Sequence, residues 1–139
     1  MLWADWRDAP WDTARWPNFT PAELACRCAG RHCVGEFWFD PGFFDALQRL
    51  RDAVGRPLRI NSAHRCGVWN AIVGGAPLSA HRRIAVDVAL AGHDRFALYD
   101  QALASGFRSF GFYQSFLHMD QRPGRRWWSG ERARRLWMS

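Results

Sequence analysis

Ser79-Ala-His-Arg-Arg-Ile-Ala-Val-Asp87 and Phe116-Leu-His-Met-Asp120 are the stretches on which the reading of this chain turns. Ile84 to Leu90 is an apolar, β-branched run that reads as a buried strand, and Asp87 stands inside it. Phe107–Tyr113 and Phe116–Asp120 read as a hairpin across Gln114-Ser115. His81, Asp87 and His118 therefore fall on or beside sheet strands, which hold side chains rigidly. Two histidines and one carboxylate leave a fourth zinc position open for water, whereas a structural site is normally closed by four protein ligands. An open position lets a metal ion acidify water and polarise a carbonyl, so amide hydrolysis is the chemistry this pattern predicts.

Outward from this core the sequence punctuates itself. Thr20-Pro-Ala-Glu23 is a capping box with proline in the first helical position, which starts a short helix. Asp40-Pro41 repeats the start signal, and Phe43, Phe44, Leu47, Leu50 and Val54 follow at helical spacing until Gly55. Pro57 to Ile60 reads as a strand running toward His64 and Arg65, and Val68 to Val73 as one or two helical turns. Gly74-Gly75-Ala-Pro77 is then a loop leading to His81. Asp94 to Ser105 reads as a helix presenting Phe96, Tyr99 and Leu103 on one face, stopped by Gly106. Residues 1–19, with Trp3, Trp6, Trp11 and Trp16 irregularly spaced, read as an arm whose rings pack on a domain spanning 20–128; residues 129–139 read as a basic tail.

The 139 residues, 48% of them hydrophobic, fit one domain with a buried core and no repeat. The first residues include acidic side chains and no uninterrupted apolar stretch, so no signal peptide is read there, and no segment reaches membrane-span length. The expectation is a soluble monomer made in the cytoplasm, acting in the periplasm or cell wall only after release. Nineteen Lys+Arg against 13 Asp+Glu give a net charge of +6, which favours polyanionic partners such as nucleic acid, anionic lipid or bacterial wall polymers.

Ile60-Asn-Ser-Ala-His-Arg-Cys66, Asn70 to Pro77, Ser79-x-His81, Ala85-Val-Asp87 and Phe116 to Asp120 together resemble the zinc D-Ala-D-Ala carboxypeptidases and their phage-type peptidoglycan peptidase relatives. These belong to the LAS metallopeptidases, which share a zinc core with hedgehog signalling domains. The resemblance covers roughly residues 20–128 in motif order. It implies a small α+β domain, a central antiparallel sheet flanked by helices, with one zinc held by His81, Asp87 and His118. It also implies that Arg65 faces the scissile carbonyl, where a guanidinium stabilises developing negative charge. Peptidoglycan stem peptides become the expected substrate. This chain departs from the family in having five residues between His81 and Asp87 where most members have six. It also has Ser115 and Phe116 where relatives carry a Glu or His base. Asp120, on the same strand face as His118, is read as the general base or as a carboxylate that orients a ligand, with His64 as the alternative base.

Cys26, Cys28, Cys33 and Cys66 are the whole cysteine complement. They permit three disulfide pairings, one closed structural zinc site holding a second ion, or plain reduced thiols. The runs Arg125-Arg-Trp-Trp128 and Arg132-Ala-Arg-Arg-Leu-Trp137 alternate cationic and aromatic residues, as a segment that meets an anionic wall or membrane surface does. Two other functions fit parts of the sequence: a zinc-containing cell-wall-binding module without catalysis, and a basic nucleic-acid-binding protein, for which no recognised motif speaks.

Overall fold

In the computed structural model, which describes residues 1–138, the chain opens with β1 (Leu2–Trp3) and a 3-10 turn at Trp6–Asp8. Thr20 then caps α1 (Pro21–Leu24): its hydroxyl accepts from the Glu23 amide while the Glu23 carboxylate accepts from the Thr20 amide. β2 (Phe37–Trp38) pairs antiparallel with β1. Asp40 caps α2 (Pro41–Val54) by accepting from the Phe43 amide, and Gly55 closes it in the left-handed conformation. β3 (Ile60–Ser62) and α3 (Gly67–Ile72) lead to a 3-10 turn at Ala80–Arg82 and on to β4 (Val86–Ala89). Asp94 caps α4 (Arg95–Ser105), and β5 (Ser109–Phe112), β6 (Phe116–Asp120), β7 (Arg126–Trp128) and α5 (Gly130–Met138) complete the order.

The architecture is α+β, as the sequence implies. Five strands run in the order β3-β4-β6-β5-β7, all pairs antiparallel except β7, which lies parallel to β5. The expected antiparallel sheet thus gains a parallel edge strand. Strand alternation sorts its two faces. Val86, Val88, Phe110, Phe112, Leu117 and Met119 are all buried in the core, together with Phe43, Phe44, Leu47 and Leu50 of α2. Each such side chain contributes about 1.5–3 kcal/mol on burial. The other face carries the polar members of the same strands, and the functional site is built there.

Four expectations change. Residues 1–19 are not merely an irregular arm, since β1 joins β2 and Trp16, 1% exposed, lies in the core. Its indole N–H donates to Asp45 of α2 at 2.8 Å. In α4 the buried residues are Leu98, Ala102 and Ser105, whereas Phe96 and Leu103 are 44% and 40% exposed. The spacing of large side chains misplaced the face because two of the buried positions are small. Residues 129–139, read as a basic tail, contain α5, which buries Ala133 and Trp137. Trp137 donates its indole N–H to the Tyr113 carbonyl at 2.8 Å and meets the Phe96 ring edge-on, so the supposed tail covers the end of α4 and the sheet. The strand read from Pro57, β3, starts at Ile60 instead, although the Arg59 carbonyl still accepts from Ala89.

Candidate metal centre

Sheet register assembles the site. Asp87 on β4 lies directly opposite both Ser62 on β3 and His118 on β6; His118 is in turn opposite Gly111 on β5, and Gly111 opposite Trp127 on β7. One row of five residues therefore crosses the polar face. His81 reaches this row from the 3-10 turn, which Ser79 caps by accepting from the His81 amide. The shorter His81–Asp87 spacing closes without difficulty, because the turn brings His81 Nε2 to 3.2 Å from Asp87 Oδ1. His118 Nδ1 lies 2.9 Å from the same carboxylate oxygen and 3.2 Å from His81 Nε2. Ligands about 2.0–2.1 Å from a tetrahedral zinc stand about 3.3 Å apart. The three atoms have nearly that spacing.

The remaining nitrogens settle which atoms face the centre. His81 Nδ1 meets the Ala63 carbonyl at 2.6 Å, and a carbonyl only accepts, so the proton sits on Nδ1 and Nε2 keeps its lone pair. His118 Nε2 meets the Asp120 carboxylate at 2.7 Å and donates to it, which leaves Nδ1 with a lone pair. Two lone pairs and a carboxylate oxygen thus converge on one buried point, and such a set attracts a cation. The electrostatics agree. Without an ion, protons shared with His118 and His81 outweigh the burial that opposes ionisation of Asp87 and hold its carboxyl well below the usual range, so the site favours positive charge beside this carboxylate. Burial opposes charging of His118, but Asp120 and Asp87 overcome this and raise its pKa, so without an ion a proton competes for the Nδ1 lone pair. The chemistry of the donor set therefore fits a borderline divalent ion such as zinc, with His81, Asp87 and His118 supplying three ligands.

The triad lies at the floor of a cleft of about 600 Å³ whose walls include Arg65, Tyr113, Arg122, Arg125 and Trp127. Arg65 Nη2 is 3.8 Å from Asp87 Oδ2, the carboxylate oxygen turned away from the two histidines. Its guanidinium is aimed by Ser62 Oγ, which accepts from Nε at 3.2 Å, and by Asn70 Oδ1, which accepts from Nη1 at 3.4 Å. Gly75 lets the 74–77 loop run over this pair, since a Cβ there would collide with the Asn70 amide and crowd Arg65. Gly111 does the same for the Trp127 ring, which lies across it and sits 4.9 Å from the His118 ring, centroid to centroid.

Neither proposed base occupies the cleft as a free group. Asp120 is 1% exposed and stands behind His118, accepting from His118 Nε2 and from the Arg122 amide and guanidinium. Burial pushes its pKa up, but these donors prevail and hold it at about 2. An acceptor so fully engaged is placed to orient His118, the second of the two readings of Asp120. His64, the alternative base, is enclosed as well: it is 1% exposed, and its ring nitrogens face the Arg83 carbonyl at 2.6 Å and Glu36 at 2.8 Å. Among the described residues, no carboxylate or histidine besides the triad lines the cleft. Sequence reasoning missed Trp127, Arg122 and the Ala63 carbonyl. Trp127 was read as part of a surface segment, and a backbone oxygen leaves no sequence signal.

A family model described as Peptidase M15 matches residues 17–120, a span containing the triad, Arg65 and all four cysteines. β7, with Trp127, and α5 lie beyond it. No curated protein matches the chain.

Proposed function

Because the chain belongs to the Peptidase M15 family, we propose that it is a zinc metallopeptidase hydrolysing peptidoglycan stem peptides, as a D-Ala-D-Ala carboxypeptidase or a crosslink endopeptidase. The observation that carries this reading is the convergence of His81 Nε2, Asp87 Oδ1 and His118 Nδ1 at the floor of an open cleft. Bound zinc supplies a Lewis acid for the scissile carbonyl and makes water a better nucleophile at neutral pH. The protein's own groups do the rest. Ala63 and Asp120 fix the two imidazole tautomers. Arg65, held by Ser62 and Asn70, presents N–H groups to the oxygen that gains negative charge, and one comparable donor is worth roughly 3 kcal/mol. The Tyr113 hydroxyl accepts from Trp127 Nε1 at 3.2 Å, so its own proton is free to donate to a substrate oxygen. Arg122 and Arg125 add positive charge to the cleft, which suits a stem peptide ending in a carboxylate.

On this reading the protein is a phage or prophage lysis enzyme that reaches the wall after a partner opens the membrane. The exposed Arg132, Arg134 and Arg135 of α5 supply the contact with anionic wall or membrane. One observation favours a second reading, a zinc-containing wall-binding module without catalysis: the cleft walls offer no carboxylate or histidine base beside the triad. Digestion of purified peptidoglycan and of a free pentapeptide stem by zinc-loaded protein separates the two, with mass spectrometry of products and His118→Ala as control. Zinc-dependent release of terminal D-alanine, or loss of crosslinked dimers, supports the peptidase and names its bond. A folded, zinc-bound protein that cleaves neither supports the binding module.

A further inference from the structure

The four cysteines lie apart from the cleft and take no part in the chemistry above. Their sulfurs nevertheless converge: all four Sγ atoms lie within 4.8 Å of one another, with Cys28 and Cys33 3.4 Å apart. Thiolates about 2.3 Å from a tetrahedral zinc stand about 3.8 Å from each other. A disulfide would instead pair two sulfurs at about 2.05 Å and leave the other pair to itself. All four cysteines are unpaired. Backbone amides point at three of the sulfurs: Cys66 N–H donates to Cys26 Sγ at 3.2 Å, Glu36 to Cys33 at 3.4 Å, and Trp69 to Cys66 at 3.4 Å. Amide N–H groups of this kind are the partners from which a metal-bound sulfur accepts.

Local backbone points the same way. Between α1 and β2 the chain forms no helix or strand, and Ala29 adopts the left-handed conformation at φ 58. An alanine holds that conformation only where its surroundings over-determine it. Cys28 and Cys66 are buried, and Cys26 and Cys33 are half-buried, so a shared ion would sit largely out of solvent. We infer that Cys26, Cys28, Cys33 and Cys66 bind one zinc ion as a closed structural site, distinct from the triad. Four protein thiolates leave no position for water, so this ion takes no part in hydrolysis. Its work is mechanical. Cys66 directly follows Arg65 and caps α3, while the His64 amide donates to the Leu24 carbonyl and Glu36 meets His64. The ion clamps the 26–33 loop to the wall that carries Arg65. This inference does not rest on the peptidase reading.

The test is zinc stoichiometry by elemental analysis and native mass spectrometry on wild-type protein purified with zinc and reductant. Two zinc ions per chain are expected, one of them released by an organomercurial that titrates thiols. The His81→Ala/His118→Ala double variant should keep one zinc, and cobalt substituted into it should show thiolate-to-cobalt charge-transfer absorption in the near ultraviolet. A wild type with a single zinc that the organomercurial leaves bound would overturn the inference. So would a denatured mass lower by four hydrogens, which reports two disulfides. Because the wild-type measurement leaves every cysteine in place, a misfolded variant cannot decide the matter. One zinc retained by the double variant upholds the thiol site even if the protein cleaves no peptidoglycan.

Discussion

The two clusters of ligand side chains in this protein are built in opposite ways. Asp87 and His118 are register partners on hydrogen-bonded strands, and His81 is tied to the same sheet through the Ala63 carbonyl. The four thiols stand on a loop without helix or strand and at the start of a six-residue helix, linked by amide-to-sulfur bonds. A site made by paired strands has its shape before any ion arrives, so its ion is available for chemistry. One made by a loop obtains its shape from the ion, as small metal-folded domains do.

The sharpest way to break this comparison is to empty each site by mutation. His118→Ala should abolish hydrolysis of stem peptides while lowering Tm by no more than about 5 °C, whereas Cys28→Ala should lower Tm by roughly 10 °C or more. Equal thermal losses, read by calorimetry, would show that both clusters depend on their ions for shape. Arg65→Ala should reduce kcat/KM by about 100- to 1000-fold while leaving zinc content unchanged, a loss measured by steady-state kinetics alongside metal analysis. Asp120→Asn should weaken zinc binding at the triad by about 10- to 100-fold in competition with a chelator, and leave the thiol site untouched.

The smallest effect concerns a contact remote from both clusters and sets the scale for ordinary anchoring. Asp45→Ala strands the buried Trp16 indole N–H and should cost about 1–3 kcal/mol in urea unfolding at pH 7. Arg15, with help from Trp16, holds the Asp45 carboxyl below its usual pKa. A folded pKa below the unfolded value of about 3.9 means that this stability is complete above that value. It is lost as the pH falls toward the folded pKa. The gap between wild type and Asp45→Ala should therefore narrow in acid, and a constant gap down to pH 3 would show that the carboxylate charge is irrelevant.

Much of this was legible in the sequence, and the reasons are local. Thr20-Pro-Ala-Glu23, Asp40-Pro41 and Gly55 act through short-range hydrogen bonds and backbone preference, so the helix boundaries they announce are the ones observed. The triad could be read because its motifs carry their own flanking residues. Asp120 could not be assigned, because the choice between proton acceptor and orienting partner depends on whether His118 Nε2 points toward it or toward the cleft. Trp127 was hidden for a related reason: its role comes from β7 lying parallel to β5, a long-range pairing that Arg125-Arg-Trp-Trp128 does not announce. The α4 face was misread because Ala102 and Ser105 carry little hydrophobic signal yet are buried.

The row from Ser62 to Trp127 also makes the Gln114-Ser115 turn a length gauge. Side chains alternate along a strand, so one residue inserted in that turn, with pairing carried along, would send His118 to the helix-covered face and bring Leu117 or Met119 toward the cleft. Changes of length should therefore be refused at the hairpin, where the register sets which face each side chain takes. Two residues of turn decide whether this sheet presents a ligand or a hydrocarbon.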